Sequence, residues 1–508
     1  DVERSRGLGD VYKRQILNNS YTLSKTELAG YVQGNNNMAE RPAKIIVNEV
    51  TGAGPTSMDG FLEVAGNRAD VVIANPNGIT VNGGGFINTG KAFLTTGKPV
   101  YDGEDHLQRF DITGGDILIE GKGLGGKEAG SLAILSRAVK INAGIWAKDL
   151  HITTGANTVD AKTLEASAIE GKGGRPAFAL DTAAIGGMYA GRITLVGTEK
   201  GLGVNNSGTW SAEDNLTLDW NGDLKNSGTI YSKGNTDLRA SRLENDKTIA
   251  AGKDVTISAD GHVTNTGTVG AGINEAGGLT ETGTLEIQSG RVDNRQGTLL
   301  AGNHLGISSG SLSNEKGQII SHGDSKLQIK GNINNGKGLF SSAGKMSMQA
   351  SELDNGKGKI ISESDMDMTV PRMANHEGVI SAKGNINMTA AEIIDNNDGK
   401  ILSDARIRAR TGAFQNTLAA LAGKNIIIET LALDNGRGNI AANENIEIQA
   451  KDSVNNTEGI LQGTGDVTIY SKKTDNGKGK ILSGKTVTLA GEELSNRQGE
   501  ISALGSIA

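Results

Sequence analysis

SELDNGKGKIISESDMDMTV, residues 351–370, decides the fold. It combines an Asn-x-x-Gly corner (Asn355, Gly358), an apolar pair (Ile360, Ile361) and an alternating pair, Met366 and Met368. The corner returns at Asn294/Gly297, Asn314/Gly317, Asn335/Gly338, Asn375/Gly378, Asn396/Gly399, Asn435/Gly438, Asn456/Gly459, Asn476/Gly479 and Asn496/Gly499. Neighbouring corners lie 20 or 21 residues apart; in the single 39-residue step stands Asn416, with Ala419 in the glycine's place. The alternating pair keeps the same beat, from Leu285/Ile287 through Met346/Met348 and Ile386/Met388 to Val487/Leu489. Alternation of period two marks a strand with one apolar face. One such strand cannot bury that face alone, so a fixed repeat predicts stacked coils of a solenoid. Twenty residues are too few for a strand–helix–strand unit, which takes about thirty. Asn and Gly at the corners suit the left-handed backbone that other residues resist. The expected fold is all-β, a right-handed parallel β-helix.

Composition bounds the function. Of 508 residues 74 are Gly and 6 are Pro, with 3% aromatic, a mixture suited to short strands and tight corners. Glycine follows no three-residue period, which excludes collagen. The net charge of −7 comes from 51 basic and 58 acidic residues spread along the chain, so no clustered basic face is available for nucleic acid. Cysteine is absent, which excludes disulfides and thiolate metal sites and suits a chain that crosses an oxidising space unfolded. No apolar run approaches the roughly 18 residues of a transmembrane helix, and no signal peptide is visible.

Residues 1–15, DVERSRGLGDVYKRQ, are charged and aperiodic, and are set aside as a non-native or disordered leader that leaves the native N-terminus missing. From residue 16 the text changes. Leu17-Asn18-Asn19-Ser20, Leu28-Ala29-Gly30-Tyr31 and Gly34-Asn35-Asn36-Asn37-Met38 lead into Ile45-Ile46-Val47-Asn48-Glu49-Val50 and then Val71-Val72-Ile73-Ala74-Asn75-Pro76-Asn77-Gly78-Ile79. Ala138-Val139-Lys140-Ile141-Asn142-Ala143-Gly144, Thr153-Thr154-Gly155-Ala156-Asn157 and Gly186-Gly187-Met188-Tyr189-Ala190-Gly191-Arg192-Ile193 follow in order. Together these resemble the secretion domain of two-partner secretion exoproteins: filamentous haemagglutinins, secreted haemolysins and contact-dependent growth inhibition proteins. The resemblance covers residues 16–208 and passes into haemagglutinin-type repeats over 209–508. The family's second, upstream Asn-Pro-Asn-Leu-like motif reads Asn35-Asn36-Asn37-Met38 here, without its proline, and the family's opening strands are absent or replaced by residues 1–15.

Asn75-Pro76-Asn77-Gly78 also has a reading of its own. Asn first, Pro second and Gly fourth is a type I turn signature, set between strand-like Val71-Val72-Ile73 and Ile79-Thr80-Val81. Two roles are open: a coil corner and nothing more, or a surface recognised by an outer-membrane transporter. The candidate set is Asn75, Pro76, Asn77, Gly78 and Ile79 with Asn35, Asn37, Asn48 and Glu49. Residues 110–119 read as a hairpin about Gly114-Gly115, projecting from the helix as the family's extra-helical hairpins do. Residues 163–176 read as a loop, 270–283 as a surface excursion from one coil, and Leu418–Ala422 as a locally helical possibility overridden by the returning Ile426/Ile428 beat.

Motifs that carry chemistry elsewhere lack their context here. Residues 479–486 match a phosphate-binding loop, yet Thr486 onward is a repeat strand rather than the required helix. Residues 121–126 match a dinucleotide fingerprint with no strand–helix–strand unit following. His106, His151, His262, His304, His322 and His376 show no ligand spacing and are assigned to solvated corners. No cofactor or metal is expected. A pectate-lyase-like β-helix is the enzymatic rival, but no paired carboxylates can be placed. The resemblance implies a non-enzymatic exoprotein whose N-terminal domain engages periplasmic modules of a partner transporter. The chain then reaches the cell surface or medium via the periplasm and folds coil by coil into a shaft for adhesion or toxin presentation. It further implies a receptor on a host or neighbouring cell. The alternative is a stand-alone glycan- or receptor-binding adhesin.

Overall fold

Each period of the repeat folds as three short strands joined by corners. In the coil that contains the opening stretch these are Glu352–Asp354, Lys359–Ser362 and Met366–Thr369. Each pairs in parallel with its counterpart one period on: Leu353 with Met373, Ile360 with Ile380, Met366 with Ile386 and Met368 with Met388. Leu353, Ile360, Met366, Met368 and Val370 are buried, while Ile361 and Asp367, at alternate positions, are only half-buried. Each buried aliphatic side chain contributes about 1.5–3 kcal/mol, and like stacks on like along the coil axis. The computed structural model describes residues 2–7, 11–38 and 41–508, which fall into two units, Asp1–Gly261 and His262–Ala508. Each is a parallel β-helix, as the repeat predicts, and no helix occurs among the described residues.

The corners differ from expectation in one respect. The left-handed residue is neither the Asn nor the Gly but the one before the Gly: Lys357 has φ 58°, and Lys316, Lys337, Glu377, Arg437 and Lys478 fall between 53° and 57°. The Asn side chain is buried instead. Asn355 Nδ2 donates to Asn375 Oδ1 at 2.7 Å and to Gly358 O at 3.3 Å, while Asn355 Oδ1 accepts from Asn335 Nδ2 at 2.8 Å. The same contact links Asn265, Asn294, Asn314 and Asn335 below and Asn375, Asn396, Asn416, Asn435, Asn456, Asn476 and Asn496 above. Glycine is needed at Gly358 for a different reason: a Cβ there would run into the carbonyl oxygen of Asn335. In the first unit Asn206, Asn226 and Asn245 form a shorter ladder of the same kind. Its Asn206-Ser207-Gly208 and Asn226-Ser227-Gly228 corners are one residue tighter, which hid them from the twenty-residue pattern.

In the first unit the coil strands Ile45–Val50, Ala69–Ala74, Thr89–Thr95, Ala129–Ser136 and Gly144–Thr154 stack in parallel, Val47 on Val72 and Val72 on Phe93. Val71, Val72, Ile73 and Ala74 are all buried because both faces are covered, the pattern expected when neither side of a parallel sheet meets water. The cover is an antiparallel sheet of Lys98–Tyr101, Leu107–Ile112, Asn157–Asp160 and Ala166–Ala168. Phe110, Ile112 and Val159 from it pack with Val47, Val72, Phe93, Ala133 and Leu135, and the Phe93 and Phe110 rings lie 5.3 Å apart.

This sheet corrects two expectations. The extra-helical hairpin exists, but its arms are Lys98–Tyr101 and Leu107–Ile112, turning at residues 102–106. Asp116–Ile119 returns to the coil, pairing in parallel with Ile79–Val81 and Ala138–Ile141, so Gly114-Gly115 is a re-entry point rather than a hairpin turn. Part of the segment read as a loop at 163–176 supplies the strand Ala166–Ala168. The leader also takes part in the solenoid. Val2–Gly7 pairs in parallel with Ile45–Val50, and Val11–Tyr12 with Thr56–Met58. Residues 1 and 8–10 lie outside the described residues. The excursion at 270–283 is observed, between the strands Thr268–Ala271 and Leu285–Asp293, and Ala420–Gly423 is a strand.

Leu418 is left-handed (φ 55°) yet 57% exposed, so strain there is not offset by burial. Leu418→Asn, which tolerates this conformation, is expected to stabilise the coil by about 0.5–1 kcal/mol. Leu418→Ile should destabilise it, both read as shifts in the urea midpoint.

Candidate functional site

The strand Ala69–Ala74 ends at Asn75, where the chain turns and resumes as Ile79–Val81. Gly78 N donates to Asn75 O at 3.1 Å, closing a four-residue turn in which Asn77 keeps negative φ and Gly78 has φ 110°, in keeping with the type I reading. Asn75 is fully buried. Its Nδ2 donates to Gly54 O and Thr56 Oγ1, each at 2.9 Å, and its Oδ1 accepts from Asn77 N at 2.9 Å. Asn77 Nδ2 donates to Gly52 O at 2.7 Å. Both asparagine side chains therefore clasp the 52–56 segment. Gly78 and Ile79 are buried, and Pro76 and Asn77 are exposed.

Asn35 builds the same turn without proline. Met38 N donates to Asn35 O at 3.3 Å, and Asn37 N donates to Asn35 Oδ1 at 3.0 Å. Asn35 Nδ2 reaches Asn18 O at 3.2 Å, so this corner fastens to residues 18–20 whereas the Asn75 corner fastens to 52–56. Asn48 and Glu49 sit one coil from the Asn75 corner, in register with Ile73 and Ala74. Asn48 is buried, and its Nδ2 has no hydrogen-bond partner among the described residues. Glu49 is half-buried.

Sequence reading missed an ion pair that closes this unit. Arg137 donates from Nε to Glu199 Oε2 at 3.1 Å and from an Nη to Oε1 at 3.0 Å. It also donates to Lys172 O at 2.7 Å, and Glu199 accepts from Ala156 N at 3.1 Å. The partners lie 62 residues apart, and no local pattern announces them. The hydrogen bonds from Arg137 hold the Glu199 carboxyl below its ordinary value of 4.5. His151 corrects the corner assignment: it lies on the strand Gly144–Thr154, with Nε2 2.8 Å from Thr153 Oγ1. Burial, then the nearby Lys91 charge, lower its pKa to about 4. The tryptophans make poor glycan platforms. Trp210 and Trp220 are buried, donating to Thr182 Oγ1 and Leu202 O, and Trp146 stacks on Tyr189. In the second unit an open groove of about 1070 Å³ crosses successive coils, with exposed Leu431 and Tyr470 beside Arg410, Glu429, Lys451 and Lys472.

Asn75→Ala strands buried acceptors, and is expected to lower stability by about 2–4 kcal/mol, against about 1 kcal/mol or less for exposed Asn77→Ala, measured by urea unfolding. Acid should destabilise the unit in two stages. The unfolded chain binds the His151 proton first, so stability falls as pH drops from 6.5 towards about 4. The Glu199 contribution is whole above 4.5 and is lost as pH falls through its depressed folded value. Melting temperature against pH checks this: His151→Gln should remove the first stage and Glu199→Gln the second.

Comparison with known proteins identifies these parts. Residues 11–231 match the TPS secretion domain, and 268–336, 320–369, 374–450 and 405–508 match the haemagglutinin repeat. The chain is similar to a tRNA nuclease CdiA of Yersinia mollaretii, at 36% identity over 335 residues, covering 61% of this chain and 11% of that protein. It is similar to a 16S rRNA endonuclease CdiA of Enterobacter cloacae, at 38% over 336 residues, 62% of this chain and 10% of that one. The crystal structure of a filamentous hemagglutinin secretion domain aligns with a TM-score of 0.42 at 26% identity, covering 61% of this chain and 90% of that one. The chain thus spans about a tenth of the length of the curated relatives it matches. With a secretion domain followed by haemagglutinin repeats, it belongs to the two-partner secretion exoproteins of the filamentous haemagglutinin and contact-dependent inhibition family.

Proposed function

We propose that this chain is an export and presentation region. The first unit is recognised by a partner outer-membrane transporter on its periplasmic side, and the repeats form a shaft that carries adhesive or toxic activity to the surface of another cell. The observation that carries the reading is the secretion-domain match over residues 11–231, continued by haemagglutinin repeats to residue 508. The nuclease and toxin activities named for the relatives belong to proteins about ten times the matched length, and this region serves their delivery rather than their chemistry. The physics suits export. A chain without cysteine forms no premature crosslinks in an oxidising space. Each newly emerged coil finds the buried face and the Asn acceptor of the preceding coil waiting, so folding propagates from a formed end.

The rival reading, a stand-alone glycan- or receptor-binding adhesin, has one observation behind it: the groove at Leu431 and Tyr470. Co-expression with the partner transporter in a Gram-negative host separates the two. The export reading expects the chain in the medium only when the transporter is present and no glycan or cell binding by the purified chain. Equal release with and without the transporter would contradict it.

A further inference from the structure

We propose that the four Asn-Gly pairs at the corners of the repeat, Asn335-Gly336, Asn355-Gly356, Asn435-Gly436 and Asn476-Gly477, are deamidation sites in the unfolded chain, and that stacking of each coil shuts the reaction off. The chemistry needs only water. The glycine nitrogen loses its proton to hydroxide and attacks the asparagine Cγ, closing a five-membered succinimide. The side-chain nitrogen takes a proton from water and leaves as ammonia. Water then opens the ring at either carbonyl, giving aspartate or isoaspartate. Glycine makes the pair reactive because no Cβ shields its nitrogen.

In the folded repeat both reacting groups are held elsewhere. The four asparagines are fully buried in the ladder. Asn355 Nδ2 donates to Asn375 Oδ1, Gly358 O and Val379 O, which pins its carboxamide inside the coil. The nucleophile is capped by the side chain of the residue before the asparagine. Gly356 N donates to Asp354 Oδ1 and Gly336 N to Asn334 Oδ1, each at 2.8 Å. Gly477 N donates to Asp475 Oδ1 at 2.9 Å and Gly436 N to Asp434 Oδ1 at 3.0 Å. An N–H that donates to a carboxylate is harder to deprotonate. Of the seven other corners from Asn294 to Asn496, only three have Asp or Asn in the capping place, so the cap goes with the reactive glycine rather than with the corner as such.

Deamidation removes what the ladder is made of. At position 355 a carboxylate would replace the donor to three oxygens and lie buried without a partner. Isoaspartate would in addition bring the Cβ into the main chain and lengthen the corner. A chain kept unfolded too long therefore stacks only as far as its first damaged corner. This sets a limit on the unfolded interval before export, a consequence that rests on the export reading above.

The test incubates the full chain in mildly alkaline buffer, folded or unfolded in guanidinium chloride, and follows the amide-to-acid mass gain at each pair after digestion. Asn221-Gly222 is the internal reference, because Asn221 is exposed, outside the ladder and preceded by Trp220, which offers no cap. In guanidinium the four corner pairs should react as fast as the reference. In the folded chain they should react at least about a hundredfold more slowly than in guanidinium, since reaction awaits local opening of a stacked coil, while Asn221 keeps most of its rate. Gly356→Ala, at a position outside the left-handed region, should sharply slow the reaction at Asn355 in guanidinium. Asp354→Ala should speed the reaction at Asn355 in the folded chain and leave Asn476 protected, whereas Asp354→Asn, which keeps an acceptor, should match the parent. Corner pairs that react in the folded chain as fast as Asn221, or that stay inert in guanidinium, would overturn the proposal. An unchanged rate in Asp354→Ala would overturn the part given to the cap. No transporter enters the experiment, so either failure leaves the export reading standing.

Discussion

A column of asparagine side chains inside the repeat governs the rest of the structure. An amide in a dry interior is costly unless every donor and acceptor is matched, and here each Asn is satisfied chiefly by the Asn one coil earlier and one coil later. Asn335 donates to Asn355, and Asn355 donates to Asn375. This fixes the period, because an insertion within a coil is tolerated only where it leaves the corner in register. The excursion at residues 270–283 does so: Asn265 and Asn294 still meet at 2.7 Å across 29 residues. It also accounts for the glycine after the turn, which lets two coils approach closely enough for the amides to touch. Where Ala419 replaces that glycine, the turn bond to Asn416 O lengthens to 3.4 Å, against 2.9 Å at Gly358, yet Asn416 still reaches Asn435 at 2.8 Å.

The repeat was legible because its physics is local. One face of each strand is dry and the other wet, so Met366 and Met368 alternate with polar neighbours, and the corner recurs at fixed spacing. In the first unit both faces of several strands are covered, so Val71, Val72 and Ile73 lose their alternation, and the sequence does not reveal what covers them. The cover, carried by Phe110 and Val159, is assembled from segments some fifty residues apart, a pairing that turn residues do not encode. The same holds for Arg137 with Glu199 and for the enclosure of His151. At the corners, asparagine's preference for left-handed backbone misdirected the reading. That strain falls instead on exposed residues such as Lys357, whose N–H is bonded to His376 O at 2.9 Å, and tertiary bonding outweighs propensity.

The candidate site divides along the same line. Asn75 and Asn35 were found from their turn chemistry, and both turns form, one with proline and one without. Their side chains hold neighbouring segments, which makes the motif a clasp that shapes the secretion domain. Exposed apolar surface lies instead on the hairpin of Ser24–Thr26 with Gly30–Val32, anchored by Glu63, a feature without a motif of its own. Leu23 and Tyr31 look like core residues until the burial of Thr26 and the partial burial of Val32 show which way the hairpin faces.

Native-state hydrogen exchange on an Asn355→Ala variant tests the ladder directly. If the column of amides sets the stacking, protection should fall in the coils that contain Asn335 and Asn375, whose side chains lose their partner, and persist in coils several periods away. Unchanged protection at both neighbouring corners would mean that aliphatic stacking alone holds the coils, and would contradict the central role given to the asparagine column.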